Sequence, residues 1–145
     1  MTSSTSAVFK MPSQLSVVVP VRNEQDNVAG LIAEIDTALK SQIEHAIIYV
    51  DDGSSGGTYA KLKSLQTQYP HLRLVHHAAS CGQSTAVRTG VKFAKYDWVA
   101  TLDGDGQNDP ADIPKISAVL SYGVELVGGN PRASHRDSWI KRNPL

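Results

Sequence analysis

Several protein classes are excluded by what this sequence has little of. It holds one cysteine, Cys81, so neither an internal disulfide framework nor a cysteine-rich zinc site can form. It has no excess charge of either sign, with 14 Lys and Arg against 14 Asp and Glu. A global attraction to nucleic acid is therefore not expected. No apolar run approaches the roughly 20 residues of a membrane helix. Residues 1–13 are rich in Ser and Thr and lack an apolar stretch. They read as a flexible tail on a cytoplasmic protein rather than a signal peptide. No Gly-x-Gly-x-x-Gly follows the first apolar run and no Gly-Lys-Ser/Thr occurs, so dinucleotide and P-loop signatures are missing. What remains is 145 residues with 41% apolar and 19% charged side chains, enough for one folded domain with one core.

Short apolar runs alternate with amphipathic segments. The runs are Leu15 to Val19, Ala46 to Val50, Leu72 to His76, Trp98 to Leu102 and Glu125 to Val127. Their length and β-branched or aromatic content suit buried strands. Val28, Leu31, Ile32, Ile35 and Leu39 form one helical stripe, with Asn23 as the expected N-cap. Tyr59, Leu62 and Leu65 mark a second helix, and Val87, Val91 and Ala94 a third. Ile113, Ile116 and Leu120 mark a fourth, opened by Pro110. Alternating strands and helices predict an α/β sandwich whose strands are parallel neighbours or near neighbours. Ligands of such folds lie beyond the carboxyl ends of the strands.

Four successive strand-to-helix junctions carry polar and glycine-rich sequence: Pro20 to Glu24, Asp51 to Ser55, Ser80 to Gln83, and Asp103 to Gln107. One such junction is ordinary turn chemistry; four on one edge call for a ligand. Asp103 and Asp105 flank a glycine, and two carboxylates that close favour a cation between them. Their hard oxygens suit Mg²⁺ or Mn²⁺, ions that keep open positions for phosphate oxygens. Gln107 could add an amide oxygen. The plain alternative is a turn whose Asp side chains cap Asn108 to Ile113. An EF-hand fails, because its glycine and glutamate positions hold Asn108 and Pro114. An aspartyl-phosphate phosphatase would place its Asp pair on the first strand, not the fourth.

The remaining candidates each have two readings. Asp51 or Asp52 could accept from a nucleoside, or form an Asx-turn into a helix capped by Thr58. Glu24 could face a ligand, or sit in the first helical turn and offset the macrodipole. The small residues from Gly82 to Gly90 would let a helix approach a ligand or the sheet, and Arg88 within them could meet phosphate or simply be exposed. His76 and His77, with no third ligand at helical or hairpin spacing, are expected to be plain edge residues. Residues 131–145 carry four bases against one acid, a basic segment on an acidic body.

These residues resemble glycosyltransferase family 2, in the branch of dolichyl- or undecaprenyl-phosphate sugar transferases. The match runs through Val19-Pro20-Val21-Arg22-Asn23-Glu24, Val50-Asp51-Asp52-Gly53-Ser54 and Leu102-Asp103-Gly104-Asp105-Gly106-Gln107-Asn108-Asp109-Pro110. It continues in Gly82-Gln83-Ser84 to Gly90 and in Gly128 to Trp139. The resemblance implies a Rossmann-like GT-A three-layer sandwich with a mostly parallel sheet. It implies a UDP- or GDP-linked sugar donor, a divalent metal and inversion at the anomeric carbon. The donor-binding set would be Pro20, Val21, Glu24, Asp51, Asp52, Gly82, Arg88, Asp103 and Gly104. Asp103, Asp105 and Gln107 would hold the metal. Asp105 and Arg132 would act in catalysis, with Arg132 approaching the acceptor phosphate and Arg142 as a second candidate. Arg22 stands where the family usually has an aromatic residue, and Ser80 where Asn is frequent.

The implied division is a tail over 1–13, a nucleotide-sugar-binding core over 14–130 and the start of an acceptor-binding segment over 131–145. Family catalytic domains continue beyond this length, so a fragment is expected. The implied function is sugar transfer from a nucleotide-diphosphate sugar to a polyprenyl phosphate at the membrane surface. The alternatives are a nucleotide-sugar-binding fragment without turnover and a metal-dependent phosphohydrolase.

Overall fold

A computed structural model describes residues 13–104, 109–111, 113, 126–128 and 139–142. Six strands form one sheet: β1 (Gln14–Val21), β2 (Glu44–Asp52), β3 (Leu72–His77), β4 (Trp98–Thr101), β5 (Leu126–Gly128) and β6 (Trp139–Arg142). Their order across the sheet is β3-β2-β1-β4-β6-β5. β1 to β4 are parallel. Helices α1 (Val28–Leu39), α2 (Thr58–Leu65) and α3 (Gln83–Lys92) form the crossovers between them. The expected fourth helix lies outside the described residues except for Ile113, which is buried in the core.

The period of two along a strand sends alternate side chains to opposite faces. In β1, Leu15, Val17, Val19 and Val21 pack with Val28, Leu31, Ile32, Ile35 and Leu39 of α1. The same cluster takes in Leu62 and Leu65 of α2. Val18 faces the other way, with Ile48 and Val50 of β2 and Ala86 of α3. Both faces of the sheet are therefore covered, and three layers result. Ser16, also fully buried, accepts the N–H groups of Lys95 and Tyr96 at 2.9 Å each, which satisfies the backbone just before β4.

The last two strands refine the expected topology. β5 starts one residue later than the apolar pattern suggests, and β6 escaped that pattern altogether. β6 lies antiparallel between β4 and β5, so β5 runs parallel to β4 as a near neighbour rather than a hydrogen-bonded one. Trp139 pairs with both Thr101 and Gly128. The start of β6 and the end of β5 thus meet at the carboxyl edge of the parallel strands.

Asn23 does not cap α1, which starts at Val28 after Asn27. Asn23 has a positive φ of 56° and spans two loops instead. Its N–H donates to Ser54 Oγ and its Oδ1 accepts from Ser55 N–H, both at 2.9 Å. Glu24 consequently precedes the helix, whose first turn holds no acid, and macrodipole compensation does not explain it. Thr58 is likewise the first residue of α2 rather than its cap, which is Gly57.

α3 lies close against the sheet because of Gly90, where a Cβ would overlap Val18 Cγ1 and sit 3.2 Å from Val50 Cγ2. Gly30, in α1, would meet nothing within 4 Å. Helix propensity alone favours Ala over Gly by about 1 kcal/mol at both positions, but overpacking a core costs about 1–3 kcal/mol. Urea unfolding should therefore show Gly30→Ala stabilising the protein by about 0.5–1 kcal/mol and Gly90→Ala destabilising it. A stabilised Gly90→Ala variant would show that α3 is not seated as described.

Candidate active site

A cavity of about 330 Å³ opens where the carboxyl ends of β1, β2 and β4 meet the start of α3. Pro20, Val21, Arg22 and Glu24 supply one wall, Asp52 and Ser80 the back, and Asp103 and Gly104 the opposite wall. Gly82, Gln83 and Ala86 bring the first turns of α3 to its edge. Seven residues anticipated for donor binding therefore converge: Pro20, Val21, Glu24, Asp52, Gly82, Asp103 and Gly104. Arg22, Ser80, Gln83 and Ala86 join them.

Asp51 and Arg88 do not line this cavity. Asp51 is fully buried. Its Oδ1 accepts the Ser54 N–H at 3.1 Å and the Ser54 hydroxyl, which is the turn chemistry of the alternative reading. Arg88 is exposed on α3. Ala86 and Gly90 are the helix's buried residues, and a residue two positions from each points about 200° away at 100° per residue. Asp105, Gln107 and Arg132 lie outside the described residues.

Adjacent aspartates take opposite faces of β2, and the register with β3 gives each a histidine. Asp51 is the partner of His76 and Asp52 of His77. On the α2 face, His76 Nδ1 is 3.1 Å from Asp51 Oδ2, and the His76 ring lies against Tyr59 with centroids 4.5 Å apart. On the α3 face, His77 Nδ1 donates to Asp52 Oδ1 at 2.8 Å while Nε2 is 3.0 Å from Thr89 Oγ1. The two histidines stand on an edge strand as anticipated, but they are carboxylate partners. Sequence spacing could not reveal this, because each pair forms between strands.

Asp52 is the most densely bonded group of the site. Oδ1 accepts from His77 and from the Cys81 N–H at 2.8 Å, and Oδ2 from the Ser80 hydroxyl at 2.9 Å and the Gly82 N–H at 3.0 Å. A carboxylate offers about four lone-pair sites, so protein donors meet all of them. Burial by itself pushes this carboxyl up. The hydrogen bonds from Cys81, His77, Ser80 and Gly82 outweigh burial and hold it at about 2. Asp52, His77 and Cys81 offer ligand atoms within 4.8 Å of one another. Their hydrogen bonds already occupy the carboxylate, so the trio serves as a loop anchor.

Asp103 is half-buried on the cavity wall, and its Oδ1 accepts from Gln83 Nε2 at 2.7 Å. Gly104 makes this placement possible. A Cβ there would overlap Val21 Cγ1 and sit 2.8 Å from the Pro20 carbonyl oxygen. The chain leaving β4 can thus press against the end of β1 and turn Asp103 into the cavity. A hard carboxylate oxygen beside an open, solvent-reached space fits a divalent ion such as Mg²⁺ or Mn²⁺.

The low pKa of Asp52 has a sign that can be measured. The unfolded carboxyl protonates near its ordinary 3.8 while the folded one holds out to about 2. The stabilisation is therefore complete above about pH 4 and is lost as pH falls towards 2. We expect Asp52→Asn to cost about 2–3 kcal/mol at pH 7 and to flatten the acid limb of the stability curve. An acid limb unchanged in the variant would show that the four donors do not favour the ionised form.

Residues 16–144 match the domain described as Glycosyl transferase family 2. The fold is similar to that of a mannosyltransferase from Pyrobaculum calidifontis solved in complex with GDP-Man and Mn²⁺. That likeness has a TM-score of 0.64 and 20% identity, over 80% of this chain and 33% of that one. It is also similar to S. aureus TarS 1–349, with a TM-score of 0.60 and 20% identity over 74% of this chain and 32% of that one. The TarS complex with UDP-GlcNAc gives the same score over 31% of its chain. This protein therefore spans about a third of the length of these solved chains. With the family match running over nearly its whole length and a GT-A-like sheet beneath the cavity, the chain belongs to glycosyltransferase family 2.

Proposed function

We propose that the chain carries the donor-binding half of a glycosyltransferase that moves a sugar from a nucleotide-diphosphate sugar to a polyprenyl phosphate, with inversion at the anomeric carbon. The observation that supports this most is the convergence of Glu24, Asp52 and Asp103 with the start of α3 around one cavity. The neighbouring structures solved with GDP-Man and Mn²⁺ or with UDP-GlcNAc are of the same fold, which makes a UDP- or GDP-linked sugar the natural donor class.

Each group then has a task. Glu24, half-buried at the cavity wall, accepts from a base N–H or ribose hydroxyl. The start of α3 presents backbone N–H groups and the positive end of its dipole to the diphosphate. Asp52 positions that helix start through its bonds to Cys81 and Gly82. Asp103, with Asp105 and Gln107, would hold Mg²⁺ or Mn²⁺. When bound, such an ion neutralises charge on the departing diphosphate.

The acceptor side is argued from charge. A phosphate monoester has its second pKa near 6 and is mostly dianionic at pH 7, so a polyprenyl phosphate needs no general base. Arg132 is proposed to meet that phosphate, within a segment 131–145 that begins the acceptor site. Its excess of bases favours an anionic surface, and the cytoplasmic face of a membrane is the proposed place of action. Among the described residues no helix is long and apolar enough to cross a membrane.

Calorimetry with GDP, UDP and their sugar conjugates, with and without Mn²⁺, tests the donor half. We expect Mn²⁺ to strengthen binding and Asp103→Asn to remove that gain, a loss of about tenfold or more. Transfer of labelled sugar to polyprenyl phosphate tests the acceptor half. Tight donor binding without transfer would favour a binding module, and release of inorganic phosphate would favour a phosphohydrolase.

A further inference from the structure

At the amino edge of the sheet, away from the cavity, three side chains from three elements meet. Asp36 comes from the last turns of α1, His45 from the start of β2, and His71 from the residue before β3. The Ile47 N–H donates to the His71 carbonyl at 3.1 Å, so the pairing of β2 with β3 fixes the two histidines side by side. Their rings meet edge to face with centroids 4.7 Å apart at 83°. Asp52 lies seven positions along β2 from His45, about 23 Å of extended strand.

The two imidazoles share one carboxylate oxygen. His71 Nε2 is 3.1 Å and His45 Nε2 3.5 Å from the same Asp36 Oδ1. Neither contact has well-aligned hydrogen-bond geometry, and both nitrogens are sealed from solvent. The His45 side chain is 5% exposed, and a buried polar atom left without a partner costs about 1–3 kcal/mol. His45 Nδ1 lies 3.2 Å from the Ile43 carbonyl oxygen. A carbonyl can only accept, so Nδ1 carries the proton, and in the neutral ring Nε2 presents a lone pair towards the other two groups.

These are the requirements of a metal ligand. The three ligand atoms lie within 4.8 Å of one another. For ligand bonds of about 2.0–2.1 Å, the edge of a tetrahedron is about 3.3 Å, and the two nitrogen–oxygen separations fall on either side of it. A histidine that ligates through one nitrogen commonly donates its other N–H to a carbonyl, as His45 does to Ile43. His71 is 29% and Asp36 23% exposed, so two of the three ligand side chains reach the surface although the ligating nitrogens are covered.

We propose that Asp36, His45 and His71 form a binding site for a Zn²⁺-type divalent ion, separate from the cavity at the opposite edge of the sheet. Two imidazoles with one carboxylate suit zinc, whereas Mg²⁺ and Mn²⁺ prefer sets composed of oxygen. The bound ion joins the end of α1 to the starts of β2 and β3, beside the apolar contacts of Leu39, Ile43 and Leu72. The site is independent of the glycosyltransfer reading, since none of its residues lines the cavity.

Titration of the full, chelator-treated chain with Zn²⁺ alone, without nucleotide, tests this. We expect one strong equivalent, retained in Asp103→Asn, and a rise in Tm of about 9 °C at hundredfold excess over Kd. His71→Ala and Asp36→Asn, at the two solvent-reached ligands, should each weaken binding about 100-fold. Co²⁺ should give the visible absorption of a tetrahedral site without a thiolate charge-transfer band, which distinguishes it from any site at Cys81. In the intact chain the Nε2 resonances of His45 and His71 should shift together on adding Zn²⁺. Absence of strong Zn²⁺ binding, a thiolate band with Co²⁺, or undiminished affinity in both variants would each overturn the proposal.

Discussion

A carboxylate with four donors around it holds the candidate active site in shape. Asp52 stands at the end of β2, and its hydrogen bonds reach β3 through His77, the following loop through Ser80 and Cys81, and the start of α3 through Gly82. Without them, the first turn of α3 would have an unbonded N–H at Gly82 and the loop before it would lack an anchor. Each bond is modest alone, but all four favour the same ionised state, and the low pKa of the group reports their sum.

The same strand geometry gives Asp51 an opposite task. Period-two alternation turns it towards α2, where it closes the loop at Ser54 and meets His76. Two identical neighbours in sequence thus organise two different loops. Asn23 completes the set by joining the loop after β1 to the loop after β2. The wall that bears Glu24 and the wall that bears Asp52 are therefore mechanically linked.

Much of this is legible in sequence where the signal is local and periodic. β1 to β4, the three described crossover helices and the polar junctions all follow from patterns a few residues long. The rest depends on partners far along the chain. His76 and His77 acquire meaning only through the β2–β3 register, and Asp36, His45 and His71 meet only because three elements share one edge. Asn23 has the composition of a helix cap, yet its left-handed backbone turns it towards Ser54 and Ser55. Strand β6 is four residues with two bases, too short and too polar for an apolar pattern to mark. Gly104 was visible as part of a motif, but its role as the contact point of β4 with β1 needs the coordinates.

The topology of the last strands bears on how donor and acceptor could be brought together. Gly128 ends β5, Trp139 begins β6, and the two are register partners. Trp139 also pairs with Thr101, two residues before Asp103. The end of β5 and the start of β6 therefore lie beside the end of β4, on the same carboxyl edge as Asp103 and the cavity. Under the proposed function the acceptor segment begins at residue 131, and its described part is β6. The ladder of β6 with β4 then brings the two halves of the reaction to one edge through the backbone, because a parallel strand ends where an antiparallel neighbour begins.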